Sequence, residues 1–474
     1  MQGLFQQILW ISNNFLASLQ HQLTKPNVML LRFIAENIFS FKEATEFNLF
    51  PSSKTHSHDS HKITCDHAVV LRMTALYGAN GAGKSNLVRC IGLLQGIVSK
   101  GVLSAISFPS DTRFFYDEAC TGKPSALAIE YSVGDCVFYY HVEFDPNNIY
   151  MEELYQSGKT KDELIFKRLL DDAGAISVEL SQKYTDTKVT SEYRDAIRRV
   201  QRLDMSMLNF MGQYYADSFP MITKAYRWFV DELCIVRPDA IFGIMPHLMD
   251  TNSDFSRMVN EKLPFFKTGI ESLVSQREEM SLQEAKSVYK EESDLAKKTP
   301  GLPVLAVNRV TGETFNIVYE EEKLLKKTIL PQHTMPDGQL QTTPFFLESD
   351  GTRRIIDYMP VLYYLLVRPD SVFIIDEMER SVHPILIKEL MRTISESHRA
   401  KGQLIFSTHE SCLLDLDIFR PDEIWFAQKD IDNSTKLYPL SDFNIHNTAN
   451  IENGYLQGRY GGIPFLSNIK DLNW

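Results

Sequence analysis

An α/β fold built around a parallel sheet is predicted by three short stretches of this sequence. The first is Leu76-Tyr77-Gly78-Ala79-Asn80-Gly81-Ala82-Gly83-Lys84-Ser85, which fits the pattern G-x-x-x-x-G-K-[ST]. The second is Ser371-Val-Phe-Ile-Ile-Asp-Glu377, an unbroken apolar run that ends in two acids. The third is Gln403-Leu-Ile-Phe-Ser-Thr-His409, a second such run ending in Ser, Thr and His. Continuous apolar runs of this length, as opposed to alternating ones, suit strands buried on both faces of a parallel sheet.

The glycine-rich stretch carries the clearest chemistry. Ala75, Leu76 and Tyr77 close an apolar strand, and Asn86 to Gln95 space their apolar residues as a helix does. A loop between strand and helix can curl successive backbone N–H groups around phosphate oxygens, because its glycines put no Cβ in the way. The helix start adds a partial positive charge. Gly78, Ala79, Asn80, Gly81, Ala82, Gly83, Lys84, Ser85 and Asn86 are therefore expected around the phosphates of ATP. Lys84 is placed to reach the β- and γ-phosphates, and the Ser85 hydroxyl to ligate Mg²⁺.

The two acids supply a second half. Asp376, at the end of its strand, is expected to hold Mg²⁺ beside Ser85. Glu377 projects differently and can accept a proton from the attacking water. His409 sits where a γ-phosphate is sensed or polarised. In Phe346-Leu-Glu-Ser-Asp-Gly-Thr-Arg-Arg354, ahead of the helical run Ile355 to Leu366, Ser349 offers a hydroxyl and Gly351 a backbone open to close approach. The expected catalytic residues are thus Glu377, His409 and Lys84, and the expected metal ligands Ser85 and Asp376.

Composition sets the frame. With 474 residues, 44% of them hydrophobic and 23% charged, the chain has the make-up of a soluble globular protein of two or three domains. A net charge of −12 argues against coating nucleic acid non-specifically. Cys65, Cys90, Cys120, Cys136, Cys234 and Cys412 form no C-x-x-C pair, which suits a reducing cytoplasm. No run of about 18 apolar residues is present, so no membrane span is expected.

Along the chain, residues 1–28 are expected to be an N-terminal extension outside the main fold, although Leu4, Ile8, Ile11, Phe15 and Leu19 share a helical face. Residues 29–185 are expected to form the N-terminal lobe. It opens with two strands around a tight bend (29–42 and 44–50), then a solvated loop from Pro51 to His67. That loop holds His56, His58, His61, His67, Asp59 and Cys65, which invite a metal reading, but with no supporting shell around them a solvated loop is the expectation. After the phosphate loop, 125–133 and 136–144 read as a hairpin about Gly134-Asp135, continued by 149–155 and 164–170. Residues 186–300 are expected to be a mainly helical insertion, with Glu271 to Lys298 as an exposed charged helix or short helical pair. Residues 301–474 are expected to form the C-terminal lobe, opening with strands at 302–310 and 313–319.

The order of these motifs (phosphate loop, Ser349-Asp-Gly351, Asp376-Glu377, His409) resembles the heads of ABC-type ATPases. The long gap between Lys84 and Ser349, and Asn37-Ile-Phe-Ser-Phe41 after the first strand, are similar to the SMC and RecF branch. More narrowly, Glu348-Ser-Asp-Gly-Thr-Arg353, Asp376-Glu-Met-Glu-Arg-Ser-Val-His-Pro384, Ser407-Thr-His-Glu410 and Gly454-Tyr-Leu-Gln-Gly-Arg-Tyr-Gly-Gly-Ile-Pro464 resemble prokaryotic "AAA family" ATP-binding proteins of abortive-infection and anti-phage modules. The ATPase components of the PARIS, Septu and retron-linked systems belong to that group.

The resemblance implies a P-loop NTPase with an ABC/SMC-like head: a mixed sheet flanked by helices, an antiparallel β-subdomain and an inserted, mainly helical subdomain. It implies Mg²⁺-dependent ATP hydrolysis in the cytoplasm, by a head-to-head dimer or larger oligomer. In such an assembly Ser349 and Gly351 of one subunit close over ATP held at Lys84 and Ser85 of another. It further implies a separately encoded nuclease or toxin as partner and a phage-derived trigger, with no membrane. The alternative is a RecF/SMC-like DNA-binding ATPase of repair or maintenance. Three positions depart from the pattern. Thr352 replaces the second signature glycine, and Phe39 replaces a frequent basic residue. No Q-loop glutamine can be placed, since Gln95 is too close to the phosphate loop and Phe108 to Asp117 contains none.

Overall fold

All five residues of Met73-Thr-Ala-Leu-Tyr77 are buried, as expected of a strand with neighbours at both edges and cover on both faces. The chain around it is seen in a computed structural model that describes residues 27–106, 112–184, 202–240, 242–398, 400–445 and 450–463. Residues 1–26 of the expected N-terminal extension, and 108–111 of the segment searched for a Q-loop, lie outside the described residues.

In chain order, β1 (Val28–Glu36) and β2 (Thr45–Asn48) lead past the hairpin β3 (Lys62–Cys65) and β4 (Ala68–Leu71) into β5 (Met73–Tyr77) and α1 (Lys84–Lys100). A meander follows: β6 (Ser125–Val133), β7 (Cys136–Phe144), β8 (Ile149–Ser157), β9 (Glu163–Leu170) and β10 (Ile176–Leu180). Then come α2 (Met207–Tyr214), α3 (Pro220–Arg227), β11 (Leu233–Val236), α4 (Met245–Thr251), α5 (Ser253–Lys262), β12 (Ser272–Glu279) and α6 (Lys290–Lys298). The order continues with β13 (Val304–Val307), β14 (Thr314–Glu320), β15 (Lys323–Thr334), β16 (Leu340–Thr342), α7 (Asp350–Val367) and β17 (Val372–Ile375). It closes with α8 (Pro384–Glu396), β18 (Gln403–Ser407), β19 (Ile424–Lys429), β20 (Thr435–Pro439) and α9 (Ile451–Leu456).

The chain divides into two compact units. The larger takes Thr24–Arg237, Arg368–Met378 and Ser395–Trp474; the second takes Pro238–Val367 and Glu379–Ile394. In the larger unit, the order β11-β17-β18-β5-β19-β20 makes a six-stranded sheet, parallel from β11 to β19 with β20 antiparallel at the edge. A seven-stranded antiparallel sheet has the order β10-β9-β8-β7-β6-β1-β2. The α/β class with a mixed sheet and an antiparallel sheet is thus the one expected.

One hydrophobic core serves both sheets. Leu87, Ile91, Leu94 and Val98 of α1 meet Phe33 and Phe138 of the antiparallel sheet and Ile374 and Ile405 of the parallel one. Each such side chain contributes roughly 1.5–3 kcal/mol through the apolar surface it removes from water. Tyr131 and Trp228 stack at 4.4 Å within this core. A buried amide sews the sheets together at the start of β18. Gln403 Oε1 accepts from Leu30 N–H at 2.7 Å, while its Nε2 donates to Leu30 O at 3.0 Å and to Leu71 O at 2.8 Å.

Two expectations for the larger unit need correcting. His61, expected on a solvated loop, is fully buried, with Nδ1 at 2.9 Å from Glu423 Oε1 and Nε2 at 3.0 Å from Ser395 Oγ. The polar composition of 51–67 concealed this, because the histidine is satisfied by partners far along the chain. Leu233-Cys-Ile-Val236, inside the stretch 186–300 read as mainly helical, is β11, paired in parallel with β17. Four residues directly after a helical turn are too few to show a period.

In the second unit, β12-β15-β14-β13 form an antiparallel sheet with β16 paired to β15. Met280, Tyr289, Ala296, Val304, Phe315 and Ile317 fill its core. Ser272–Glu279, read as part of an exposed charged helix, is a strand instead. Its charges find partners off the strand: Arg277 Nε bonds Asp250 Oδ1 of α4 at 2.6 Å, and Glu279 bonds Lys323 of β15 at 2.8 Å. Partners from α4 and β15 therefore replace the i,i+4 pairing that a helix offers. Among the described residues no helix is long and apolar enough to cross a membrane.

Candidate functional site

The neighbours β17, β18 and β5 all run the same way, so the residues after them come together at one end of the sheet. Open α/β sheets bind their ligands at this carboxyl end. Residues 78–83 leave β5 here, Asp376 and Glu377 leave β17, and Thr408 and His409 leave β18.

The phosphate loop is shaped by its neighbours. Gly83 has φ +108°, and a Cβ built on it would lie 2.1 Å from Thr435 Oγ1 and 2.9 Å from Ser40 Oγ. A Cβ on Gly78 would meet the backbone oxygen of Ala427, on β19, at 2.4 Å. Only glycine fits either place. Gly83 caps α1, whose first turn holds no acidic residue of its own to oppose an anion at the helix start. Asn80 and Gly81 form the exposed tip, whereas Ala82, Gly83 and Lys84 are buried.

A chain of hydroxyls braces the loop from behind. Thr435 Oγ1 lies 2.8 Å from both Ala82 O and Ser40 Oγ, and Asn86 Nδ2 donates to Ser40 Oγ at 2.8 Å. Ala82 O can only accept and the Asn86 amide nitrogen can only donate. The proton order is therefore Asn86 to Ser40 to Thr435 to Ala82. Ser40 lies in Asn37-Ile-Phe-Ser-Phe41, where Asn37 and Phe39 both take positive φ (49° and 50°).

Lys84 Nζ donates to Gly78 O at 2.7 Å and Ala79 O at 3.3 Å, and lies 3.0 Å from His409 Nε2. Ser85 Oγ donates to Asp376 Oδ1 at 3.2 Å. Ser407 Oγ donates to that same oxygen at 2.5 Å and accepts the Glu377 N–H at 2.9 Å. Glu377 itself has φ +50°. The larger unit thus brings together Lys84, Ser85, Asp376, Glu377 and His409. A serine hydroxyl beside one carboxylate is the hard-oxygen donor set that Mg²⁺ takes when phosphates complete its shell. In loops of this kind, the lysine trades carbonyl partners for phosphate oxygens.

Ser349 and Gly351 belong to the second unit. Ser349 Oγ caps α7, accepting Thr352 N–H at 3.2 Å and sharing a hydrogen bond with Thr352 Oγ1 at 2.8 Å. Thr352, in place of the second signature glycine, is therefore part of the cap. A Cβ on Gly351 would come within 2.6 Å of Ser381 O, so the first turn of α7 packs directly on the turn after the acids. On the same helix Asp357 lines a pocket of ≈ 290 Å³ with Arg353, Arg354 and Glu313. Burial pushes its carboxyl up to about 7, against the pull of Arg354 and Arg353.

Some residues play other parts than the sequence proposed, and some were not seen. Gln95, too close to the loop for a Q-loop, donates to Phe229 O and Leu233 O and so ties α1 to β11. Among the described residues no group of three or more His, Cys, Asp or Glu is placed to hold a metal, the His56–His67 segment included. Ser40 and Ser407 lie inside motifs already singled out, but nothing in the sequence marks Thr435.

A family model described as "AAA domain, putative AbiEii toxin, Type IV TA system" matches residues 73–415. The comparison with curated proteins found no match. Among solved structures, the SMC head domain from Thermotoga maritima is similar at 12% identity over 88% of this chain and 99% of its own, with a TM-score of 0.36. An SmcHead bound to the C-winged helix domain of ScpA is similar at 14% identity, over 86% and 97%, with a TM-score of 0.38. An Smc head domain with an extended coiled coil, bound to the C-terminal domain of ScpA derived from Pyrococcus furiosus, is similar at 12% identity, over 87% and 96%, with a TM-score of 0.35.

Proposed function

The chain belongs to this AAA-domain family, and from that premise we propose that it hydrolyses ATP at the site formed by Lys84, Ser85, Asp376, Glu377 and His409. The observation that carries the reading is the convergence of these five residues at the carboxyl ends of three adjacent parallel strands, with Ser85 bonded to Asp376. Backbone N–H groups of 78–86 hold the phosphates, and Lys84 turns from Gly78 O to the β- and γ-oxygens. Ser85 and Asp376 hold Mg²⁺, which neutralises charge on the phosphates when bound. Glu377 orients the attacking water and accepts its proton, while His409 faces the γ-phosphate. Electrostatic stabilisation and positioning carry such a reaction, since the protein forms no covalent bond.

The site is completed by Ser349 and Gly351 from a second copy, so ATP joins two subunits and hydrolysis lets them part. In this reading the protein is the ATP-driven sensor and scaffold of an anti-phage defence system in the cytoplasm, governing a separately encoded toxin or nuclease after a phage-derived trigger. The family description, with its toxin–antitoxin term, supports a place in a system of that general kind. The rival, a DNA-handling ATPase, predicts salt-dependent DNA binding that responds to ATP.

The test is Glu377→Gln with Lys84→Ala beside it, in native mass measurement and an ATPase assay. Glu377→Gln is expected to bind ATP, turn over at least a hundredfold more slowly and accumulate as a dimer or larger assembly. Lys84→Ala is expected to lose binding. A Glu377→Gln protein that stays monomeric with ATP and hydrolyses it at the native rate overturns the reading.

A further inference from the structure

Two residues past the end of β17, at Glu377, the backbone takes an unusual path, and one side chain from the neighbouring strand holds it. β17 and β18 pair in parallel from Val372 with Gln403 to Ile375 with Phe406. One step further, Asp376 and Ser407 leave this register, and the contact passes to the Ser407 side chain. Its Oγ accepts the Glu377 N–H at 2.9 Å, and its backbone oxygen accepts the Met378 N–H at 3.1 Å. Two successive amides are thus held by one residue.

This grip falls on a backbone that resists its own shape. Glu377 has φ +50°, in the left-handed region that a non-glycine residue adopts only under strain. Such strain persists only where the surroundings over-determine it. The Ser407 hydroxyl also has no freedom in its proton. Asp376 Oδ1 can only accept and the Glu377 amide can only donate, so the serine O–H points to the carboxylate at 2.5 Å. Asp376 Oδ1 is shared with the Ser85 hydroxyl at 3.2 Å. When a cation draws on the Ser85 lone pairs, Ser407 still fixes the orientation of the carboxylate. Ser407 is 1% exposed and so cannot meet substrate itself.

We infer that Ser407 is a positioning residue that sets Asp376 and Glu377 together: through one hydroxyl it orients the carboxylate beside Ser85 and locks the left-handed turn that aims the Glu377 side chain. The inference rests on the proposed ATPase reading and names a residue that reading does not use.

The test compares Ser407→Ala and Ser407→Cys, which remove the hydroxyl, with Ser407→Thr, which keeps it. ATP-binding stoichiometry, kcat, KM and the Mg²⁺ concentration for half-maximal rate are measured on each. Ser407→Cys serves as the near-isosteric variant should alanine fail to fold. For the hydroxyl-less variants we expect full binding stoichiometry, KM within about threefold, kcat lowered about ten- to hundredfold and a raised Mg²⁺ requirement, since small misplacements of reacting groups cost rates of this order. Ser407→Thr is expected to keep most of the rate. Native kcat and Mg²⁺ dependence in Ser407→Cys overturn the inference, as does a loss of rate that only follows a loss of binding stoichiometry. If the native protein does not hydrolyse ATP, the ATPase reading itself fails, and this inference with it.

Discussion

Replacing Thr435 by Val separates shape from hydrogen bonding behind the phosphate loop. Valine keeps the branched volume that fills the space beside Gly83, but it breaks the proton order from Asn86 through Ser40 and Thr435 to Ala82. Two groups then lose a partner, the Ala82 carbonyl and the Ser40 hydroxyl. Ala82, Ser40 and Thr435 are all buried, so water does not replace the lost bonds. Leaving a buried polar group unsatisfied costs about 1–3 kcal/mol, and two of them about 2–4 kcal/mol if Ser40 partly re-pairs. At about 1.4 kcal/mol per tenfold, a cost falling wholly on the phosphate-holding shape of the loop weakens nucleotide binding by about 30- to 700-fold. The assay is titration with a fluorescent ATP analogue and Mg²⁺, alongside thermal unfolding. Thr435→Ser, which keeps the hydroxyl, should stay within about fivefold of the native affinity. If Thr435→Val binds within threefold of native with an unchanged Tm, the hydroxyl chain is not what shapes the loop.

Two further predictions concern stability. Asp357 has its folded pKa raised from 3.8 to about 7, so folding takes up a proton between those values, and stability that is full below pH 3.8 is lost as pH rises through 7. Asp357→Asn escapes that loss. Its advantage over the native protein should be near zero at pH 4, grow by at most about 1.4 kcal/mol per pH unit, and level off above pH 7. Denaturation midpoints at pH 4, 6 and 8 check this, and a pH-independent difference refutes it. Gln403→Leu leaves Leu30 N–H, Leu30 O and Leu71 O without the amide that joins β18 to the antiparallel sheet. A loss of roughly 3–5 kcal/mol is expected in urea unfolding, and a midpoint equal to native would show that these groups re-pair.

The legible parts of the molecule are those whose signal is local. Gly78–Ser85 reads directly, because phosphate-loop chemistry demands fixed residue types at fixed spacing. The strands before Asp376 and His409 also show plainly, since burial on both faces leaves an unbroken apolar run. The fold class follows from these and from the Gly134-Asp135 hairpin, which the structure forms as β6 and β7. What stayed hidden depends on partners far away in sequence. His61 looks like one of several loop histidines until Glu423 and Ser395 close around it. β12 carries a helix-like density of charge, and only its packing beside α4 and β15 brings Arg277 to Asp250 and Glu279 to Lys323. Thr435 belongs to no motif, and its importance lies entirely in standing behind Gly83.

The place of β5 in its sheet governs the order in which this protein can be made. Met73 pairs with Leu404 on one side, and Ala75 with Ile424 on the other. Both edges of the strand that launches the phosphate loop are therefore filled by chain that leaves the ribosome much later. At about 5–20 residues per second, a strand that is fully buried in the finished fold waits on the order of tens of seconds for its first partner. During that interval it is an open edge of the kind that recruits wrong partners or chaperones. Nascent or truncated chains ending before Gln403 should neither hold nucleotide nor stay dispersed. Nucleotide competence is therefore a late event in synthesis, switched on only when the last strands of the sheet arrive.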